Sequence, residues 1–456
     1  MRVPVIRAPA SSGPDEGGPS GIAPPPPPAP PPPRLPLWPL LTMFALVPLW
    51  WLAGAFYLIW SVLGVVLLAL LVVRGRVPLP PATGVWLLFL ALVLLSATQL
   101  PSRVSLLPFG LRLGFYVTAL VVAVYVYVYA RERTDQAVVL VPLCLFWLGL
   151  VALGWLGVLA PRFTLTTPTE MLLPGGLAAH PYIQDLVHVT AAEYSERALN
   201  PIYRPAAPFP YTNHYGGAYA MTLPCVVAYT MLRRHGVFRW ILLASLPLSL
   251  APAFLTLNRV MFASLGAGLA VLGVRAARRG NLRVGVSVVG VLAIGGLATL
   301  FIPVTELIGN RVASSDTNSD RLALYAEVLR RIRDSPWLGY GGPVSVDTLS
   351  SGVPVGTQGQ FWTVLFSHGV PALLCFLAWF VIVAMICARV RSAPGQWLAV
   401  VPVVCMAQMP FYGMTDPTIT IAFFAGALAM AFTEREVGAR PAHPPRTSRE
   451  PEAVRA

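Results

Sequence analysis

Two arginines stand where a guanidinium needs a reason. Asn258-Arg259 falls between the apolar runs 250–257 and 260–268, and a charge wedged between two apolar spans calls for an explanation. Arg321 opens a segment, 320–334, in which a helical period gathers Leu322, Leu324, Tyr325, Val328, Leu329 and Ile332 on one side. Glu327, Arg330, Arg331 and Arg333 take the other side. Arg321 itself falls on the apolar side and in the first turn, where a cation opposes the helix dipole. Burying an unpaired guanidinium is costly, so a partner is needed. Guanidinium forks match phosphate oxygens, do not deprotonate, and stabilise the negative charge that builds on a departing diphosphate. The chemistry that such a pair would serve is the holding of a phosphate-bearing substrate. Two plainer readings compete: Arg259 snorkelling to lipid phosphates, and Arg321 paired with Glu327, Asp316 or Asp320. A third feature is Gln358 in the stretch 356–362, which leads to Ser367-His368-Gly369 at the start of an apolar run. Its plainer reading is an ordinary loop-to-helix junction.

The elements that must position these residues are membrane spans. Of 456 residues, 56% are hydrophobic and 11% charged, which is too apolar for a soluble chain of this length and predicts an all-α polytopic membrane protein. The net charge of +13 rests entirely on arginine, since there is no lysine. Arginines that flank spans account for much of it, so it is poor evidence for nucleic-acid binding. Cys144, Cys225, Cys375, Cys387 and Cys405 lie in apolar stretches without metal-ligand or CxxC spacing and read as core residues. No cleavable signal peptide is apparent, and residues 1–36 read as a disordered proline-rich tail.

The apolar run 37–73 is too long for one crossing and is split near Trp51-Leu52-Ala53-Gly54. Further spans are expected at 84–100, 113–130, 137–160, 214–232, 238–256, 260–274, 284–302, 366–388, 396–412 and 418–433, about twelve in all. Arg74 and Arg76, Arg131 and Arg133, Arg233 and Arg234, Arg275 to Arg283, and Arg389 and Arg391 then fall on one side, which the positive-inside rule makes cytoplasmic. Both termini are expected inside, with 434–456 a second disordered tail. Two long segments, 161–213 and 303–360, are expected outside the membrane, and long loops of this kind usually carry function.

Taken in order, Asn258-Arg259, Arg321, Pro336-Trp337-Leu338-Gly339-Tyr340-Gly341, and Gln358-Gly359 with Gly369 resemble the ordered motifs of the O-antigen ligase and O-antigen polymerase family of bacterial membrane proteins. The topological likeness spans 37–433, and the motifs lie between 250 and 371. That family typically carries Ser-Arg where this chain has Asn258-Arg259, and His-Asn where it has Gln358-Gly359. The resemblance implies glycan transfer or polymerisation at the outer face of the cytoplasmic membrane, from a polyprenyl-diphosphate-linked oligosaccharide to a glycan or lipid acceptor. It implies no nucleotide sugar, no metal and no other cofactor. It places Arg259 and Arg321 on the donor diphosphate, with Asn258, Tyr325, Gly339 and Gly341 as neighbours in substrate binding. Gln358 and Asn213 would orient the acceptor. Glutamine takes no proton at neutral pH, so a base is sought elsewhere: His214 at the outer mouth of its span is preferred over His368 and Glu196. His368 reads as a core histidine. Ligase and polymerase both fit.

Three other readings compete. A transferase using polyprenyl-phosphate sugars would require acidic residues in the first outer loop, and none occurs around 51–56. A lipid-linked glycan flippase or other transporter would carry charged or broken helices near mid-membrane, whereas here the unusual charges lie outside. An envelope assembly factor would use the polyproline tail for docking.

Overall fold

The computed structural model describes residues 34–178, 181–195, 202–301, 316–345, 354–414 and 417–438. The proline-rich stretch before 34, Glu196, and the tail from 439 lie outside the described residues, and so do the expectations attached to them. The side chains of Arg103, Asp316 and Asp320 are likewise not described.

The chain opens with α1 (Trp38–Ala45), α2 (Val47–Leu52), α3 (Phe56–Arg74), α4 (Thr83–Ser96), α5 (Leu106–Glu132) and α6 (Gln136–Leu159). A compact insertion follows: β1 (Thr164–Leu165), α7 (Pro168–Leu172), α8 (Gly175–Ala178), α9 (Pro181–Val187), β2 (Val189–Thr190), β3 (Ala192–Ser195) and β4 (Ile202–Pro205). The strands form two small antiparallel pairs, β1 with β2 and β3 with β4. The helices resume with α10 (Thr212–Leu232), α11 (Val237–Leu248), α12 (Leu250–Leu255), α13 (Arg259–Arg279) and α14 (Leu282–Phe301). The last group is α15 (Asp316–Arg331), α16 (Gln360–Cys387), α17 (Ala393–Ala399), α18 (Val401–Gln408) and α19 (Pro417–Gly438).

This is an all-α polytopic membrane protein. Among the described residues, seven helices are long and apolar enough to cross a membrane: α3, α5, α6, α11 with α12, α13, α16 and α19. Two shorter apolar helices are Thr83–Gln99 and Leu282–Leu297. Helix also occupies the other expected spans, but as the interrupted pairs α1–α2 and α17–α18 and as the polar-rich α10. Length and composition therefore single out fewer crossings than the apolar pattern of the sequence suggests.

The middle of the bundle is α5 against α19. Their apolar windows are 83% and 94% buried, against 33% for α13, which lies at the periphery. The small residues of α19 let neighbours approach closely: Trp379 stacks on Phe423 at 3.6 Å and Trp86 packs on the same ring at 4.4 Å. Cys144, Cys225, Cys387 and Cys405 are buried, Cys375 is half-buried, and all five are free.

The two ends of the bundle differ in chemistry. At one end, charged groups of successive helix ends interlock. Arg74 pairs with Glu132, Arg131 with Glu434 at 3.0 Å, and Arg233 with Asp135. Arg435 donates to the Ala130 carbonyl, Arg279 to the carbonyls of Ala388 and Val390, and Glu436 accepts from the backbone of Arg391 and Ser392. The arginine loops expected on one side are thus joined on one side. Tyr125 donates to the Pro36 carbonyl there, so the first described residues enter at the end where α19 finishes. The other end gathers the starts of α10, α13, α16 and α19. Arg259 and Arg279 open and close one helix about 30 Å long, which sets Arg259 at the far end from the arginine loops.

Candidate functional site

Four separated parts of the chain converge on the turn 409–414 between α18 and α19. The buried Gln360, first residue of α16, clasps it: its backbone N–H donates to the Tyr412 carbonyl at 2.7 Å, and its side-chain oxygen accepts from the Met414 N–H at 2.7 Å. Its amide nitrogen donates to the Tyr116 hydroxyl of α5 at 2.8 Å. The Phe361 N–H reaches the Met409 carbonyl at 3.0 Å. From α13, the Met261 N–H donates to the Tyr412 hydroxyl at 3.0 Å. From α15, Tyr325 stacks on Trp362 with centroids 4.5 Å apart and donates to the Pro410 carbonyl at 3.2 Å. From α10, His214 faces Gly413: a Cβ on that glycine would sit 3.7 Å from its Nε2.

This hub explains where the two arginines lie. Arg259 is the first residue of α13, exposed, two positions before the Met261 amide that the hub holds. Asn258 is the N-cap of that helix. Its buried side chain accepts from Met261 and donates to the Thr212 carbonyl at 3.1 Å, tying α13 to the start of α10. Such a cap is worth about 1 kcal/mol. Leu257 immediately before it has φ 52, a conformation that costs a branched side chain energy and that collects at functional sites. Helix geometry leaves the N–H groups of Arg259 and Val260 without intrahelical partners, so the cation and the amides of one helix start together favour an anion.

Arg321 is half-buried on α15, one turn before Tyr325 and on the same face as Leu324 and Val328. Its charge pulls down the Tyr325 phenol that burial pushes up. The structure corrects part of the expected apolar face. Leu324, Val328 and Ile332 are buried and Tyr325 is half-buried, but Leu322 and Leu329 are 66% and 50% exposed. Glu327, one expected partner of Arg321, is taken: Arg330 and Arg331 both bond its carboxylate at 2.6 Å and hold it down at about 2. Arg321 has no hydrogen bond or ion pair to the described residues.

The stretch 336–341 does its work on the backbone of α16. That helix breaks at Gly369, φ 81, just before Pro371, which frees carbonyls in the preceding turn. The Tyr340 and Gly341 N–H groups donate to the freed carbonyls of Phe366 and Ser367 at 3.0 and 2.8 Å, and Val370 N–H returns to the Pro336 carbonyl at 2.8 Å. Tyr340 stacks on Phe366 at 4.8 Å. Glycine is required at both contact points. A Cβ on Gly339 would lie 2.4 Å from the Phe366 oxygen and one on Gly369 2.5 Å from the Trp337 oxygen. Gly339 and Gly341, expected beside a substrate, therefore carry a structural duty that the sequence pattern did not reveal. α15 also ends at Arg331, ahead of the expected stop at Pro336.

The remaining expected residues lie around this end. Gln358 is half-buried, two residues before the clasp, with no hydrogen bond to the described residues. Asn213 is half-buried in the first turn of α10. His214 sits between Phe209 at 6.1 Å and Tyr211 at 5.9 Å. Tyr211 donates to Asp185 at 2.7 Å; burial pushes the Asp185 carboxyl up, while that bond and the charge of His214 pull it down. Glu193 accepts from the Thr212 backbone and hydroxyl at 2.7 and 2.8 Å and pairs across the β3–β4 hairpin with buried Arg204 at 2.6 Å. This fixes the start of α10. His368 is buried with its Nδ1 2.7 Å from the Ser96 hydroxyl, as expected of a core histidine. Gln360 and Tyr412 were missed. A buried glutamine has no local signature, although the run Pro410-Phe411-Tyr412-Gly413 reads as a turn in hindsight.

Residues 242–377 match the family model described as O-antigen ligase. That interval holds Asn258-Arg259, Arg321, the 336–341 loop, Gln358 and the Gly369 break. Over that interval the chain is similar to the O-antigen ligase family. The matched interval leaves out Asn213, His214 and the 409–414 turn, so the family motifs and the hub that assembles them come from different parts of the chain. No curated protein matches the chain.

Proposed function

We propose that the protein transfers or polymerises glycan at the outer face of the cytoplasmic membrane, using a polyprenyl-diphosphate-linked oligosaccharide as donor and a glycan or lipid as acceptor. The observation that carries this reading is the convergence on one turn of the helix opened by Arg259 and the helix face that bears Arg321. Neither guanidinium is spent on a carboxylate among the described residues, and both belong to the family's motif interval.

In this reading Arg259, with the open amides of its helix start, and Arg321 grip the diphosphate. The acceptor hydroxyl attacks the anomeric carbon of the donor sugar, the bond from that carbon to the diphosphate oxygen breaks, and the two arginines stabilise the leaving anion. His214 takes the hydroxyl proton. Gln358 and Asn213 orient the acceptor, and Tyr325 with the Gly339–Gly341 turn borders the donor. Both termini are cytoplasmic, with the paired arginine loops on the inner face.

The test is to isolate lipid-linked glycans from cells lacking the protein. Polyprenyl-diphosphate oligosaccharide accumulating in the outer leaflet supports a transferase. Accumulation in the inner leaflet would instead identify a flippase and end the proposal.

A further inference from the structure

At the end of the bundle opposite the candidate site, an open cavity of about 980 Å³ lies between the α13–α14 turn and the α16–α17 loop. Arg279, Arg283, Arg389 and Arg391 line it together with Leu282 and Val437. Each neighbouring basic loop commits one arginine to a carboxylate, whereas the arginines lining this cavity commit none among the described residues. Arg74, Arg131 and Arg233 each pair with a carboxylate, Glu132, Glu434 and Asp135. Arg279 instead bonds two backbone carbonyls, which carry no countercharge. Arg283, Arg389 and Arg391 form no ion pair among the described residues. The nearby carboxylate of Glu436 bonds the N–H groups of Arg391 and Ser392. One helical turn deeper, Arg275 lies close enough to Arg279 for their charges to repel, and its buried Nη1 has no hydrogen-bond partner among the described residues. Like charges held this close need an anion from elsewhere.

The walls indicate which anion. Leu282, Val286 and Val289 make an apolar stripe along α14, exposed by 78%, 62% and 65%, that starts at the cavity. On α16, Val381 and Met385 are exposed just before Ala388, which also lines the cavity. Guanidinium groups above lipid-facing apolar stripes suit a molecule with a phosphate head and acyl tails. We infer that this cavity is a binding site for the headgroup of an anionic phospholipid, with its acyl chains along α14. The site is separate from the proposed glycan chemistry and holds whether or not that chemistry is correct.

The experiment uses the full chain in nanodiscs of phosphatidylcholine with and without phosphatidylglycerol. Lipids retained after detergent extraction are read by native mass spectrometry, and thermal midpoints are measured in parallel. The wild-type protein should retain phosphatidylglycerol in preference to phosphatidylcholine and melt higher in its presence. The triple substitution Arg283→Gln, Arg389→Gln, Arg391→Gln should weaken retention roughly tenfold or more, given the typical attraction of each surface arginine to anionic lipid. Lysine at the same three positions should restore most of it. Arg279 is left intact because it ties two helix ends together. Equal retention of the two lipids by wild-type protein overturns the inference, and that result does not depend on any variant folding. Unchanged retention by the glutamine variant, or stabilisation by soluble pyrophosphate equal to that by phosphatidylglycerol, overturns it as well.

Discussion

At the scale of single residues, Arg259 and Arg321 carry guanidinium groups with no ion pair among the described residues. Arg321→Ala should cut glycan output by about a hundredfold or more, the usual cost of losing one group that stabilises a leaving anion. Arg321→Lys, which keeps the charge and loses the fork, should fall between that and wild type. Output is read as glycan per unit of protein in the membrane, and full output from both variants would remove Arg321 from the reaction. Glu327 supplies a different prediction. Its carboxyl is held at about 2 by Arg330 and Arg331 instead of its ordinary 4.5. The folded value is depressed, so its contribution is fully present above about 4.5 and is lost as pH falls towards 2. Hydrogen exchange in Asp316–Arg331 should speed up across that window, and Glu327→Gln should remove the pH dependence.

At the scale of elements, the broken helix α16 and the loop that fills its break form one unit. Gly369→Ala would place a Cβ at φ 81 and 2.5 Å from the Trp337 oxygen. The backbone term alone is about 1–3 kcal/mol. The expected result is a lower thermal midpoint, together with faster exchange at the Tyr340 and Gly341 amides. The Gln360 clasp makes a second test. Gln360→Ala leaves the Met414 amide and the Tyr116 hydroxyl unpaired in a buried place, at about 1–3 kcal/mol for each group left unsatisfied. A midpoint within about a degree of wild type would show that the 409–414 turn holds itself without the clasp. If the clasp matters as proposed, glycan output should fall with it, because the turn joins α13 to α15.

At the scale of the whole molecule, the bundle has one basic end where helix ends interlock and one end that collects helix starts and loops. In a cysteine-free background, Thr357→Cys should react with a membrane-impermeant maleimide on intact cells, and Asn281→Cys only after permeabilisation. The reverse pattern would invert the topology and move the candidate site to the cytoplasm. Much of this organisation was legible from the chain, because apolar runs and arginine-bearing loops are local quantities that the bilayer reads directly. The helices, the split before Phe56, the common end of the arginine loops and the family motifs could all be read that way. Which apolar helices are central could not, since α13 and α19 look alike in hydropathy and differ only in what surrounds them. Nor could the meaning of Gly339 and Gly341, which answer to carbonyls freed in a helix farther along the chain, or the place of Gln360 and Tyr412. Sequence determined the class of molecule and the residues with unspent charge, because composition and spacing belong to the chain itself. Only the tertiary structure decided which of them share a surface, because hydrogen bonds between distant segments exist only once the helices have packed.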